Sequence, residues 1–118
     1  MDTFSILEKE EDGIAVIVFD GYCAKEGGAA LQKHTQGILH TEKNEIIIDF
    51  TNCSVISSPG MAALLEIVME VVDDSKGKLY LIGLDKSKKQ FLQMTGVLPF
   101  AETAASIGEA CQRIRGKK

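Results

Sequence analysis

The 118-residue sequence predicts a single α/β domain, a mixed central β-sheet faced by about four α-helices in the order ββαβαβα(β)α. Three observations carry that expectation. Residues 45–50 (EIIIDF) and 79–84 (LYLIGL) are short apolar runs without alternation, the pattern of strands covered on both faces. Each is followed by a stretch whose apolar residues recur with a helical period, so the connections are crossovers and the inner strands run parallel. Length, 45% hydrophobic residues, 25% charged residues and a net charge of -4 suit one globular core over residues 1–118.

The elements follow in order. Residues 4–9 and 14–19 read as strands, and Asp12-Gly13 between them is a hairpin turn signal. After them the period changes: Leu31, Ile38 and Leu39 fall at i, i+7 and i+8, which predicts a helix whose start is blurred by Gly27 and Gly28. Strand 45–50 comes next. Met61, Leu64, Leu65, Val68 and Val72 then form one helical stripe, ended by DDSKGK. Strand 79–84 leads to a short helix over residues 87–96 that stops at Gly96. Residues 97–100 (VLPF) read as a brief extended piece. The last helix is expected over about residues 103–114, with Ile107, Cys111 and Ile114 inward and Glu102, Glu109 and Arg113 solvated.

Composition excludes several classes of function. The basic run RIRGKK is too short to argue for a nucleic-acid partner and reads as a solubilising tail. No stretch approaches the roughly 18 apolar residues of a membrane span, and the acidic N-terminus lacks signal-peptide order. A cytoplasmic protein without membrane insertion is the expectation. Cys23, Cys53 and Cys111 are isolated, without CxxC or Cys/His zinc spacing, and read as buried reduced thiols. His34 and His40 lie six apart, off the i,i+4 spacing of a helical metal pair. No metal or cofactor is expected.

One junction concentrates polar groups. In VISSPGMAALL (residues 55–65) a β-branched run ends in Ser-Ser-Pro-Gly and a helical pattern begins. Pro59 suits the first helical position, which makes Ser58 the expected N-cap. A helix N-terminus carries unpaired N–H groups and partial positive charge, so a phosphate on Ser58 would be tolerated there. Catalytic motifs fail on spacing. A nucleophile elbow needs Gly two places before the serine, where Ile56 stands, and no Walker loop is present. The chain is therefore not expected to be an enzyme.

Over nearly its whole length the sequence resembles the STAS-domain anti-sigma factor antagonists. The resemblance rests on IIIDFTNCSVISSPGMAALLEIV and KGKLYLIGLDKSKKQFLQMTGVLPFAET. In that family the strand–helix loop reads Asp-Ser-Ser/Thr-Gly, and its first serine is phosphorylated by a serine-protein kinase that is also an anti-sigma factor. Ser57 then falls at the Asp position, Ser58 at the phosphorylated serine, Pro59 at the Ser/Thr and Gly60 at the Gly. The resemblance implies an anti-sigma factor antagonist that binds the kinase when unphosphorylated, is released on phosphorylation and is reset by a serine phosphatase. Ser57 is the alternative acceptor. The expected partner surface is Ser57, Ser58, Pro59, Gly60, Ala62, Ala63, Glu66 and Ile67, with Ala62, Ala63, Glu66 and Ile67 turned outward from the core stripe. Two positions depart from the family: Ser57 replaces its acid, and Ala24 stands where GYCA should end in Asp. The competing readings are an unmodified STAS scaffold or lipid-transport-associated subunit, and a small enzyme with Ser58 as nucleophile.

Overall fold

Strands β1 (Phe4–Glu11) and β2 (Ile14–Cys23) form the expected hairpin, paired antiparallel from Phe4↔Gly21 to Glu11↔Ile14. Asp12 and Gly13 have φ of 55° and 80°, the two successive positive values that a type I′ turn requires. A computed structural model describes residues 3–97 and 100–116 of the chain. From β2 the chain enters α1 (Lys25–Leu39), β3 (Glu45–Asp49), β4 (Cys53–Ile56) and α2 (Ser58–Val68), which runs on into a π-helical segment, Met69–Asp74. β5 (Lys78–Ile82), α3 (Lys86–Met94), β6 (Glu102–Ala104) and α4 (Ile107–Gly116) complete it.

The sheet order is β1-β2-β3-β5-β6, with β4 paired to β2 off this path; every pairing after the hairpin is parallel. β2 is long enough to hold two partners in succession. Its first half takes β3 (Ala15↔Ile46 to Val18↔Asp49), and after an irregularity at Gly21/Tyr22 its end takes β4.

Both faces of the central strands are covered, which is why EIIID and LYLI read as unbroken apolar runs. Ile17, Phe19, Ile46, Ile48, Leu79 and Leu81 face the larger core with Leu31, Leu64, Ile67 and Leu92 of the helices. Ile14, Val16, Ile47, Tyr80 and Ile82 face Ala110, Cys111 and Ile114 of α4. Phe4 stacks on Phe19 with ring centroids 5.7 Å apart, pinning the edge strand to the larger core.

The expected fold class holds, with corrections of detail. β4 is an extra strand: four residues are too few to give a period of their own, and pairing with β2 extends them. Residues 102–104 are a strand rather than the start of the last helix. α4 begins after Ser106, whose hydroxyl accepts from the Glu109 N–H while the Glu109 carboxylate accepts from the Ala105 N–H. Of the extended piece expected over residues 97–100, Leu98 and Pro99 lie outside the described residues. Val97 instead completes the C-terminal cap of α3. Gly96 has φ of 91°, and its N–H and that of Val97 donate to the carbonyls of Gln93 and Leu92, a Schellman arrangement. Arg113, expected in solvent, lies over the Tyr80 ring at 5.5 Å and donates to the Thr103 carbonyl. Glu102 is half-buried and pairs with Arg113.

The glycines of α1 and α2 differ in what their missing side chains permit. A Cβ at Gly28 would meet the Ala63 Cβ at 2.8 Å, one at Gly60 would collide with the Cys23 carbonyl oxygen, and one at Gly37 would meet nothing within 4 Å. Alanine gains up to about 1 kcal/mol over glycine in a helix. Gly37→Ala should therefore stabilise the protein by that order. Overpacking outweighs the gain at the other two sites, so Gly28→Ala should destabilise by about 1 kcal/mol and Gly60→Ala by about 3 kcal/mol. Urea titrations of the three variants measure the ranking.

All three cysteines are free and buried. Burial pushes their thiols up, that of Cys23 to about 12, with nearby Cys53 adding to the effect. Because the folded state holds Cys23 neutral while the unfolded chain ionises near its ordinary value, this contribution to stability is fully present below about pH 9 and lost as pH rises toward about 12. Native protein should accordingly resist iodoacetamide at pH 8 and become labelled at all three positions in denaturant. Rapid native labelling, read by intact mass, would contradict the buried-thiol assignment.

Candidate functional site

The Ser-Ser-Pro-Gly loop sits where the C-terminal end of β4 turns into α2, beside the point where β2 turns into α1. The sheet carries its pairing one residue further than the strand: the Ser57 N–H donates to the Cys23 carbonyl at 2.9 Å. That bond holds Ser57 extended, with φ of -81° and ψ of 174°. The Ser57 carbonyl already accepts the first helical bond, from the Met61 N–H at 2.8 Å, and its hydroxyl accepts from the Gly60 N–H at 3.3 Å. Ser57 is thus the N-cap, which corrects the expectation that Ser58 would be. Ser58 takes the first helical position and Pro59 the second. Both are compatible with proline, because the first-turn N–H groups have no partner within the helix.

This shift of one residue divides two roles between two hydroxyls. Ser57 is half-buried, and its Oγ also donates to the Cys23 carbonyl at 3.4 Å. Ser58 is exposed, and its hydroxyl makes no hydrogen bond among the described residues, so it is presented to solvent at the positive end of α2. Pro59 is exposed beside it. Gly60 is buried against Cys23 because only a residue without Cβ fits under that carbonyl.

Further along α2 the residues expected to face outward divide between exposed and buried positions. Ala62 and Glu66 are exposed. Ala63 is half-buried against Gly28 of α1, so its small size serves the packing of α1 on α2. Ile67, expected to face outward, is fully buried. The buried stripe is Met61, Leu64, Ile67, Val68 and Val71, whereas Leu65 and Val72 lie at its margin. The buried stripe is turned away from Leu65 relative to the apolar periodicity because α1 covers the Ile67 side, which an isolated helical wheel does not show. Glu66 accepts from Gln32, and Glu70 from Gln32 and Gln36, at 2.9 to 3.1 Å, tying the two helices along their length.

Residues absent from the sequence-based surface also border the loop. Ser54, Val55 and Ile56 line a notch of about 440 Å³ with Asp85, Ser87, Lys88 and Phe91. Val55 is 47% exposed there, and the Lys88 amine bonds the Asp85 carboxylate at 2.9 Å. The Lys88 N–H and then its amine bond Asp85, which holds that carboxyl below its ordinary range while it caps α3. Nothing local in the sequence marks this notch, because α3 reaches it only through the β5 crossover. At the start of α1, Ala24 is the N-cap residue and supplies no side-chain bond. Asp20 lies on β2 opposite Ser5, and its Oδ1 is buried without a hydrogen-bond partner among the described residues. No group of three or more His, Cys, Asp or Glu residues that could hold a metal ion occurs among the described residues. None of the described helices is long and apolar enough to cross a membrane.

Comparison with known proteins places this geometry. No curated protein matches the sequence. An anti-sigma factor antagonist from Mycobacterium paratuberculosis superposes with a TM-score of 0.82 at 16% identity, covering 97% of this chain and 96% of its own. The unphosphorylated anti-sigma factor antagonist SpoIIAA gives 0.77 at 21% identity, covering 97% and 99%. The murine anion transporter Solute Carrier 26 family member A9 gives 0.74 at 12% identity, covering 99% of this chain but 23% of the transporter. The family model for the STAS domain matches residues 5–110, and the chain belongs to the STAS domain family.

Proposed function

We propose that the protein is an anti-sigma factor antagonist that works by partner switching. Its unphosphorylated form binds an anti-sigma factor that is also a serine-protein kinase. Phosphorylation of Ser58 releases that partner, and a serine phosphatase restores binding. The observation that carries this reading is the exposed, unengaged hydroxyl of Ser58 at the first position of α2, with capping left to Ser57. The fold shared with anti-sigma factor antagonists supports it by analogy.

The physical logic is that of a binding switch rather than a catalyst. A phosphate adds about -1.5 to -2 charges at neutral pH and lies at a helix N-terminus, where it is favoured, so the fold need not change. The surface around it does change. Exposed Pro59 and Ala62 beside Ser58 allow close approach of a partner, and burying a dianion in that contact carries a large desolvation cost. Ser57 is the weaker acceptor candidate, since modifying it would break the cap and its bond to Cys23.

A second reading, a STAS module that binds without being modified, draws on the two missing acids: Ser57 and Ala24 stand where the resemblance expects carboxylates. The STAS-like part of the anion transporter is an instance of the fold within a larger chain. Such a module would remain a single species by intact mass after incubation with a serine kinase and ATP.

Two outcomes follow from the switch. Ser58→Asp should weaken binding to the anti-sigma factor by about tenfold or more, roughly 1.4 kcal/mol, while Ser58→Ala preserves it. Equal affinities by calorimetry would sink the switch. Ser57→Ala should lower stability by about 1 kcal/mol through loss of the cap yet leave phosphorylation intact. Phosphosite mapping of that variant by mass spectrometry separates the two serines.

A further inference from the structure

The solvent face of α2 beyond Ser58 is apolar to its end. Ala62, Leu65 and Met69 continue from Ser58 at i+4, i+7 and i+11, a single stripe of the helix. Ala62 is exposed, Leu65 half-buried and Met69 58% exposed. At Met69 the helix changes to π geometry, and the Ser75 N–H donates to the Glu70 carbonyl five residues back at 3.1 Å. There a groove of about 470 Å³ opens, lined by Val68, Met69, Val72, Asp73 and Phe100. Phe100 is 64% exposed. Methionine and phenylalanine are enriched at the cores of protein interfaces, and here two of them flank one depression that the stripe leads into.

The border of this face is acidic. Glu66 is exposed beside it and Asp73 lies at the groove, whereas Glu70 and Asp74 turn toward α1, into a notch with Gln36, Leu39 and His40. From residue 58 to residue 74 the chain has no Lys or Arg. The ion pairs among the described residues involve other groups, and Glu66 and Glu70 are held by the neutral amides of Gln32 and Gln36. Exposed Glu66 and Asp73 have no cation paired with them among the described residues, so their charge is left for a partner to neutralise.

We propose that this face docks an amphipathic helix of a partner protein, with an apolar stripe seated on Leu65 and Met69 and in the groove at Phe100, beyond the Ser58 end of α2, and Lys or Arg along its flank. From Ser58 to Met69 the face is about 16 Å long at 1.5 Å per residue, which a partner helix of about 15 residues covers with a turn to spare for the groove. The helix-in-groove mode relies on apolar anchors at i, i+3, i+4 and i+7, the spacing that this stripe would meet. Met69 lies about 16 Å along the helix from Ser58, beyond the roughly 8 Å Debye length of physiological salt. Phosphate at Ser58 is screened at the groove, so the groove supplies affinity that persists in the modified protein. This inference rests on the partner-switching reading only for the partner's identity.

The test uses the full chain and two fluorescein-labelled designed helices of about 15 residues, identical in their leucine stripe and flanked by Lys or by Glu. By fluorescence anisotropy, the Lys-flanked peptide should bind at least about tenfold more tightly than the Glu-flanked one, and more weakly as salt rises. Met69→Gln with Phe100→Gln, both at exposed positions, should weaken that binding by about tenfold, whereas Leu7→Gln, an exposed leucine on β1, leaves it unchanged. Ser58→Asp should change it by less than about threefold because of screening. Equal binding of the two peptides, or of the groove variant and the unaltered protein, would overturn the proposal. So would a dimer in sedimentation velocity that the groove variant dissolves, since the face would then belong to a second copy. Failure of Ser58 phosphorylation removes the switch and leaves this result standing.

Discussion

The carbonyl oxygen of Cys23 is the point on which the rest of the arrangement turns. It ends β2, accepts the Ser57 N–H, and lies so close over Gly60 that no Cβ fits between them. One backbone group thus sets the end of the sheet, the start of α2 and the depth at which α2 is seated. The same close approach continues sideways, where Gly28 meets Gly60 and Ala63 and brings α1 against α2. A buried carbonyl needs its hydrogen bond, and a packed helix pair admits no spare volume, so neither part of the junction can slide without the other.

Fixing that junction decides which hydroxyl is structural and which is free. Had the ladder between β4 and β2 ended one residue later, Ser58 would be extended and its oxygen committed to an N–H of the first turn. Because it ends at Ser57, the cap is made before the exposed position is reached. The helix dipole then acts on a hydroxyl that owes the fold nothing, so the proposed phosphorylation would change its charge without unfolding the domain. Under the two proposals, α2 would carry a charge-sensitive end at Ser58 and, about 16 Å along, an apolar end at Met69 screened from that charge.

The same close packing of α1 on α2 hides other features from the sequence. Ile67 lies outward on a wheel centred on Met61, Leu64, Leu65, Val68 and Val72, yet it is fully buried because α1 closes over that side. Ala63 passes for a small exposed residue for the same reason. The notch that Val55 shares with Lys88 and Phe91 joins residues more than 30 positions apart, and only the crossover through β5 brings them together. β4 and β6, of four and three residues, are shorter than any period that could betray them, and only their pairing partners make them strands.

By itself the sequence determined the α/β class, the hairpin at Asp12-Gly13, the parallel centre of the sheet, the helices with strong stripes and the SSPG junction as the place to look. These are local or periodic properties: turn residues with positive φ, unbroken apolar runs and apolar spacing are written within a few residues of one another. Tertiary structure alone decided that Ser57 rather than Ser58 caps α2, that Ile67 and Ala63 serve the packing, and that the exposed face of α2 ends in a groove at Phe100. Each of those depends on a contact between segments far apart in the chain, and above all on where the Cys23 carbonyl stops the sheet. Ser58 was found from its neighbours in sequence; its freedom comes from Cys23, 35 residues away.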